Sequence, residues 1–181
     1  SKLNFNLEEI VLNMLELALI EKLTDVLEKE ASVYEDFLSI QKGKTDILVN
    51  GNISELEKMI KTEQSFFEEI QGLEAEREQI IEQIAQKTKT DSSALNLTWM
   101  INNYVKPEQA NKLKSLRDKI LNTINELKKV NEQNARLINN SLEYINFSIN
   151  LIASASDSGS RYGNDGKEGK AERRSFFDIK L

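Results

Sequence analysis

The sequence predicts an all-α protein: an elongated antiparallel bundle or coiled coil of three long helices plus a short helix, followed by a disordered C-terminal tail. Three observations carry that prediction. An apolar stripe runs through Leu113, Leu116, Ile120, Ile124, Leu127, Val130, Asn134, Ile138, Leu142, Ile145, Ile149 and Ile152. Its steps average about 3.5 residues, the period of a helix packed along its whole length, and at 1.5 Å per residue it spans roughly 60 Å. The composition is rich in charged residues (30%), poor in aromatics (7%), and holds a single proline, Pro107. Such a mixture favours long helices over sheets. Finally, the chain closes on a Gly/Ser-rich stretch that cannot bury enough apolar surface to fold alone. Residues 1–155 are therefore read as a helical body and residues 156–181 as a flexible recognition tail.

The first helix is expected from near Leu7 to Val49. One stripe follows Leu7, Ile10, Met14, Leu17, Ile20, Leu23, Leu27, Tyr34, Leu38 and Leu48, with a second row (Val11, Leu15, Leu19, Val26, Val33, Phe37, Ile40) beside it. Between Leu7 and Leu27 the apolar arc is wider than one partner helix can cover. Two neighbours must flank it, or a second chain must, as a homodimer. Asn50-Gly51-Asn52 ends the helix, Gly51 supplying the left-handed residue just past a helix terminus. Ser54 and Glu57 have capping-box spacing and open the second helix, whose stripe is Leu56, Ile60, Phe67, Ile70, Leu73, Ile80 or Ile81, and Ile84. Glu63 and Arg77 fall on or beside that stripe. Either their stems reach out from the packed face or they pair with charges on a facing helix and set its register.

Lys87 to Ser93 is a polar break, where Asp91, Ser92 or Ser93 caps a short third helix carrying Leu95, Leu97, Trp99, Met100, Ile101 and Tyr104. This aromatic-dense piece is expected to plug one end of the bundle. Pro107 suits a helix start and Glu108 its first turn, so the last long helix runs from there to about Ala155. Asn131 and Asn134 interrupt its seam, where asparagine fixes register more readily than it binds a ligand.

Several function classes are excluded by what is missing. The net charge of −6, with no basic cluster to offset it, argues against nucleic acid. No stretch reaches the ~20 apolar residues of a membrane span, and no basic-then-apolar leader is seen, so no direct membrane insertion is expected and a cytoplasmic location is. Cys and His are both absent. Disulfides, thiol nucleophiles, Glu-x-x-His di-iron sites and phosphohistidine relays all go with them. The 30 Asp and Glu residues read as solvated helix faces. The expectation is a protein that binds others, with no catalytic residue, metal or cofactor.

Three stretches together resemble the FlgN family of flagellar type III export chaperones. One is Leu23 to Leu56, with Glu28, Glu30, Tyr34, Leu38, Lys42, Lys44 and Asn50-Gly-Asn-Ile-Ser-Glu-Leu56. Another is Glu63 to Ile84, with Glu63, Leu73-Glu74 and Arg77. The third is Asn134, Leu142 and Tyr144, followed by Tyr162-Gly-Asn-Asp-Gly166 and Ser175-Phe-Phe-Asp178. The resemblance covers most of residues 19–181. Residues 1–17 depart from the pattern and, beginning at Ser1 without Met, are read as a processed or foreign extension occupying a groove that a natural partner fills.

The resemblance implies a cytosolic chaperone that binds the C-terminal amphipathic helices of hook-associated proteins of the FlgK and FlgL type. Covering those helices prevents premature assembly before delivery to the export gate. On the stripe of the last helix, the cargo groove is expected around Leu127, Val130, Ile138, Leu142, Ile145 and Ile149. The resemblance also implies that Tyr162, with Gly166, docks to the cytosolic domain of the gate subunit FlhA, and that Phe176, Phe177 and Asp178 form a tail motif. The rival reading is a non-catalytic coiled-coil scaffold or an anti-sigma-like regulator. That reading shares the stripes but has no use for the aromatic tail.

Overall fold

The computed structural model describes the backbone of residues 2–159 and the side chains of residue 10 and residues 13–155. Four α-helices follow in order: α1 (Lys2–Asn50), α2 (Ile53–Thr88), α3 (Leu97–Asn103) and α4 (Pro107–Gly159), with a 3₁₀ turn at Ser92–Ala94. No strand occurs among the described residues. Contacts divide the chain into two units, Ser1–Asn140 and Ser141–Leu181, and α4 contributes to both.

The turn from α1 to α2 takes two residues. Gly51 adopts φ 65°, donating to the Leu48 carbonyl at 3.2 Å while Asn52 donates to that of Ile47 at 3.2 Å. These are the two bonds of a Schellman stop. Asn52 then caps α2, its side-chain oxygen accepting from the Glu55 amide at 3.2 Å. The expected Ser54–Glu57 capping box is not used. The glycine turn brings the chain into helix at Ile53, so Asn52 is the last residue with non-helical backbone, and Ser54 already lies inside α2. At the far end, Lys89 closes α2 in the left-handed region at φ 52°.

Asp91 caps only the 3₁₀ turn, through the Ser93 amide at 3.0 Å. The cap of α3 is Asn96, which accepts from the Trp99 amide at 2.8 Å, so Leu95 lies ahead of the helix instead of on it. Both Leu95 and Met100 are buried, and Leu97, Trp99, Ile101 and Tyr104 pack partly buried around them. α4 then starts at Pro107, as a residue without an amide donor favours.

Within the first unit the core forms two clusters. The larger joins Leu19, Ile20, Leu23, Val26, Leu27 and Ala31 of α1 to Ile80, Ile84 and Ala85 of α2, Met100 of α3, and Leu113 and Ile120 of α4. The smaller holds Val33, Phe37, Leu38, Ile70 and Leu127, with Phe66, Leu73 and Val130 packed against it. Phe37 lies 5.6 Å from the Phe66 ring and edge-on to Phe67 at 5.3 Å.

Polar pairs set the register of the helices. Along α1 and α2, Arg77 Nε meets Glu30 Oε1 at 2.9 Å, the Tyr34 hydroxyl donates to Glu74 at 3.0 Å, and Lys44 Nζ meets Glu63 at 2.9 Å. Gln41 also donates to Glu63. As the number rises on α1 it falls on α2, the mark of antiparallel packing. Along α1 and α4 the pairs are Glu28–Lys112, Glu35–Lys119 and Lys42–Glu126, at 2.7, 3.0 and 3.3 Å. Each has an offset of 84 residues, and successive pairs are seven residues apart. A constant offset with heptad spacing means that α1 and α4 run parallel, as the first and third helices of an up-down-up bundle must. Farther along, Asn134 is buried at 3% exposure, donating to the Gln41 carbonyl at 3.0 Å and accepting from Thr45 Oγ1 at 2.6 Å. Asn134 thus fixes register, whereas Asn131 is exposed.

Candidate functional site

Two perturbed groups lie between α1 and α2 and serve packing there. Burial raises the Glu30 carboxyl against the pull of Arg77, and burial with the Glu74 carboxylate pushes the Tyr34 hydroxyl up to about 12. Each already has its partner. No cluster of acidic residues among the described residues could hold a metal ion. Among the described residues no helix is long and apolar enough to cross a membrane.

The outstanding surface is the helical segment 141–155 of α4. Leu142, Tyr144, Ile145, Phe147, Ile149, Leu151 and Ile152 are all between 42% and 72% exposed. Helical spacing sorts them into two rows. Leu142, Ile145, Ile149 and Ile152 stand at i, i+3, i+7 and i+10. Tyr144, Phe147 and Leu151 form a second row at i, i+3 and i+7. At 3.6 residues per turn the two rows lie roughly 150° apart around the helix. A strip holding Glu143, Asn146 and Asn150 separates them on one side and Ser148 on the other. Glu143 is the one charged residue from 141 to 155. With roughly 150–250 Å² per large side chain, the exposed apolar area is on the order of 800 Å². Divided between the two rows this is on the order of 400 Å² each, the size of the largest single apolar patch on a typical monomer, which is often a functional one.

Two smaller apolar surfaces lie in the first unit. Ile10, Met14, Leu15 and Leu17 of α1 are exposed, beside a cavity of about 200 Å³ lined by Met14, Leu17, Ile20, Tyr104 and Lys106 among others. There the Tyr104 hydroxyl is enclosed without a hydrogen-bond partner, and burial with the nearby Glu16 raises its pKa. On α2, Ile53, Ile60 and Phe67 repeat at heptad spacing, each at least half exposed. Phe67 borders a hollow of about 270 Å³ that Ile138, Ala135 and the Lys44–Glu63 pair also line.

The six residues expected to form a cargo groove are thus placed differently from one another. Leu127 is a core residue and Val130 packs against the same cluster. Ile138 is half-buried at the Phe67 hollow. Leu142, Ile145 and Ile149 are exposed on the segment just described. Tyr162, Gly166, Phe176, Phe177 and Asp178 lie outside the described residues. The Tyr144–Phe147–Leu151 row was not part of the expected site. Its signal is in the sequence, three large apolar residues at helical spacing, but a single dominant stripe hides it.

A helical bundle with charge-paired seams and a helix carrying uncovered apolar rows belongs to the class of protein-binding modules. A family model described as FlgN protein matches residues 14–170, most of the chain, and the chain belongs to the FlgN family. This family makes it a flagellar export chaperone in general terms, one that binds flagellar hook-associated proteins. Comparisons with curated proteins and with solved structures gave no match.

Proposed function

We propose that this chain holds hook–filament junction proteins of the FlgK and FlgL type in the cytoplasm and delivers them to the export gate. The observation that carries the proposal is the density of uncovered apolar side chains between Leu142 and Ile152. An amphipathic C-terminal helix of the cargo lays its apolar stripe along Leu142, Ile145 and Ile149, the helix-in-groove mode of recognition. Covering that stripe keeps the cargo from assembling early. Within the first unit, Ile138 offers a separate apolar contact at the Phe67 hollow, and Leu127 and Val130 hold α4 in the bundle. The tail makes the handover: Tyr162, with Gly166, docks to the cytosolic domain of FlhA, and Phe176, Phe177 and Asp178 add a second recognition element. The chain needs no cofactor or catalytic group for this work.

Calorimetric titration with the C-terminal helical segments of FlgK- and FlgL-type proteins from the same genome tests the reading. One-to-one binding that is lost in Leu142→Asp is the expected result. Tyr162→Ala should keep cargo affinity and lose export in a complementation assay. A folded chain that binds neither segment would sink the cargo assignment, and a Tyr162→Ala variant that exports normally would sink the handover.

A further inference from the structure

We infer that two copies of this chain pair antiparallel through the start of α1, each laying residues 2–13 in a groove of the other. The inference does not rest on the proposed function. The register of the helices shows why this end of α1 needs a neighbour. In both Glu30–Arg77 and Lys44–Glu63 the residue numbers add to 107, so Thr88, the last residue of α2, is level with Leu19 of α1. With the offset of 84 on α4, Pro107 is level with Leu23. α1 begins at Lys2 and therefore runs past the ends of both long neighbours. Tyr104 covers one side of the stretch from Asn13 to Ile20, yet Ile10, Met14, Leu15 and Leu17 stay 45–65% exposed. Twelve of the eighteen residues from Leu3 to Ile20 are apolar, and a helix apolar on most of its circumference belongs in a packed interior.

A place for this projection adjoins it. The cavity at Met14, Leu17 and Tyr104 continues past Ile20 and Gln109 into a second hollow of about 270 Å³, bounded by Glu21, Asp25 and Glu108. Together they form a groove between α1 and the start of α4, level with residues 13–25 of α1. At 1.5 Å per residue the groove is about 18 Å long, and so is the projection. A two-fold axis at Met14 lays each projection in the partner's groove, the self-complementarity that an isologous dimer requires.

Charge selects the occupant. About that axis, residue numbers that face each other add to about 28. Lys2 comes level with Val26, beside the acidic end of the groove at Glu21, Asp25 and Glu108. Glu8 and Glu9 come level with Ile20 and Leu19, beside Lys106 at the other end. None of these four groove charges forms an ion pair among the described residues. The chain's own first residues thus carry the complement of the groove, basic end to acidic end. A cargo helix fits less well. The family match begins at residue 14, so binding of hook-associated proteins, which belongs to the family, does not call on the projection. A helix of about twelve residues is also marginal alone in water, and a second copy covers it whether or not cargo is bound. A lipid surface is disfavoured by Glu8, Glu9 and Glu16 against Lys2 alone. The contact has four faces, a projection and a groove on each chain. Half the surface of a helix 10–12 Å across and 18 Å long is roughly 300 Å² per face, so the total is about 1,200 Å², enough for a specific interface.

Sedimentation of the full chain at micromolar concentration should show a dimer. Met14 is exposed and glutamate is a good helix former, so Met14→Glu should keep the circular dichroism spectrum of the parent. It sets two carboxylates against apolar side chains at the axis and should raise the dimer dissociation constant roughly a hundredfold. Cysteine variants then read the direction of pairing without interference, because the chain holds no Cys. Under mild oxidation Met14→Cys should cross-link to itself. Ile10→Cys and Ala18→Cys, both at exposed positions, should cross-link to each other when mixed and neither to itself. A monomeric parent overturns the inference, and so does a Met14→Glu variant that stays dimeric. Ile10→Cys and Ala18→Cys that each link to themselves mean parallel pairing, which overturns it too. A monomeric parent whose Met14→Glu variant binds an intact hook-associated protein more weakly assigns this surface to the cargo instead. The proposed function is read separately, through Leu142→Asp, and survives any of these results.

Discussion

Replacing Arg77 with methionine removes the partner of a carboxylate that has almost no contact with solvent. Glu30 is 3% exposed, and its 2.9 Å bond to Arg77 Nε offsets part of that burial. Breaking a buried pair from one side typically costs about 3–5 kcal/mol. The Arg77 side chain is 35% exposed, so water screens part of its charge and can reach the gap; the expected loss is reduced to about 2 kcal/mol. For a body of this size that corresponds to a fall in Tm of roughly 6–8 °C at pH 7. The pH dependence has a definite sign. Burial already raises the Glu30 pKa above that of the unfolded chain, so the folded state takes up the proton first as pH falls. Without Arg77 the raising causes, burial and Glu74, act unopposed. A raised carboxyl favours the fold below its unfolded pKa, and that benefit is lost as pH rises through the folded pKa. The gap between Arg77→Met and parent should therefore narrow as pH is lowered from 7 toward 5. Replacing Glu30 as well, in Glu30→Leu/Arg77→Met, should recover most of the loss at pH 7, because no buried charge is left alone. Thermal melts by circular dichroism at both pH values read these quantities. An Arg77→Met variant within 1 °C of the parent at pH 7, or a deficit that grows on acidification, would refute the reasoning.

Met100 is fully buried in the larger cluster, and Met100→Ala should lose about 2–4 kcal/mol in urea unfolding, the usual cost of a vacated core site. A loss under 1 kcal/mol would mean that α3 is not held by the core. Lys89→Gly should gain about 0.5–1 kcal/mol by the same assay, since Lys89 sits at φ 52° where glycine is unstrained. A destabilised Lys89→Gly variant would show that the strain is offset by contacts of the lysine side chain.

Helix ends were legible where one residue type has one physical use. Gly51 and Pro107 mark the end of α1 and the start of α4 as expected. Caps were less so, because Asn52 and Ser54 are both good caps and the choice depends on where the preceding turn releases the chain. Glu63 and Arg77 could be placed on the packed face of α2 from spacing alone, but their partners Lys44 and Glu30 are fixed only by how the helices cross. The candidate site shows the sharper limit. The stripe from Leu113 to Ile152 is one continuous pattern, yet its early members are core and its late members are exposed. Periodicity reports which residues share a helix face; it carries no information on what covers that face. The Tyr144 row is not separable by periodicity, because two rows on one short segment blur into simple hydrophobicity.

The three charge pairs joining α1 to α4 also carry a direction. Two have the acid on α1, Glu28 and Glu35, and the third has the base there, Lys42. Coiled helices make their cheapest mistakes by sliding one heptad, which keeps apolar residues facing apolar residues. Slid one way, Glu35 would meet Glu126; slid the other way, Lys42 would meet Lys119. Either error sets like charges opposite each other. The reversal at the third pair thus works as a vernier: it lets two helices far apart in the chain find a single alignment.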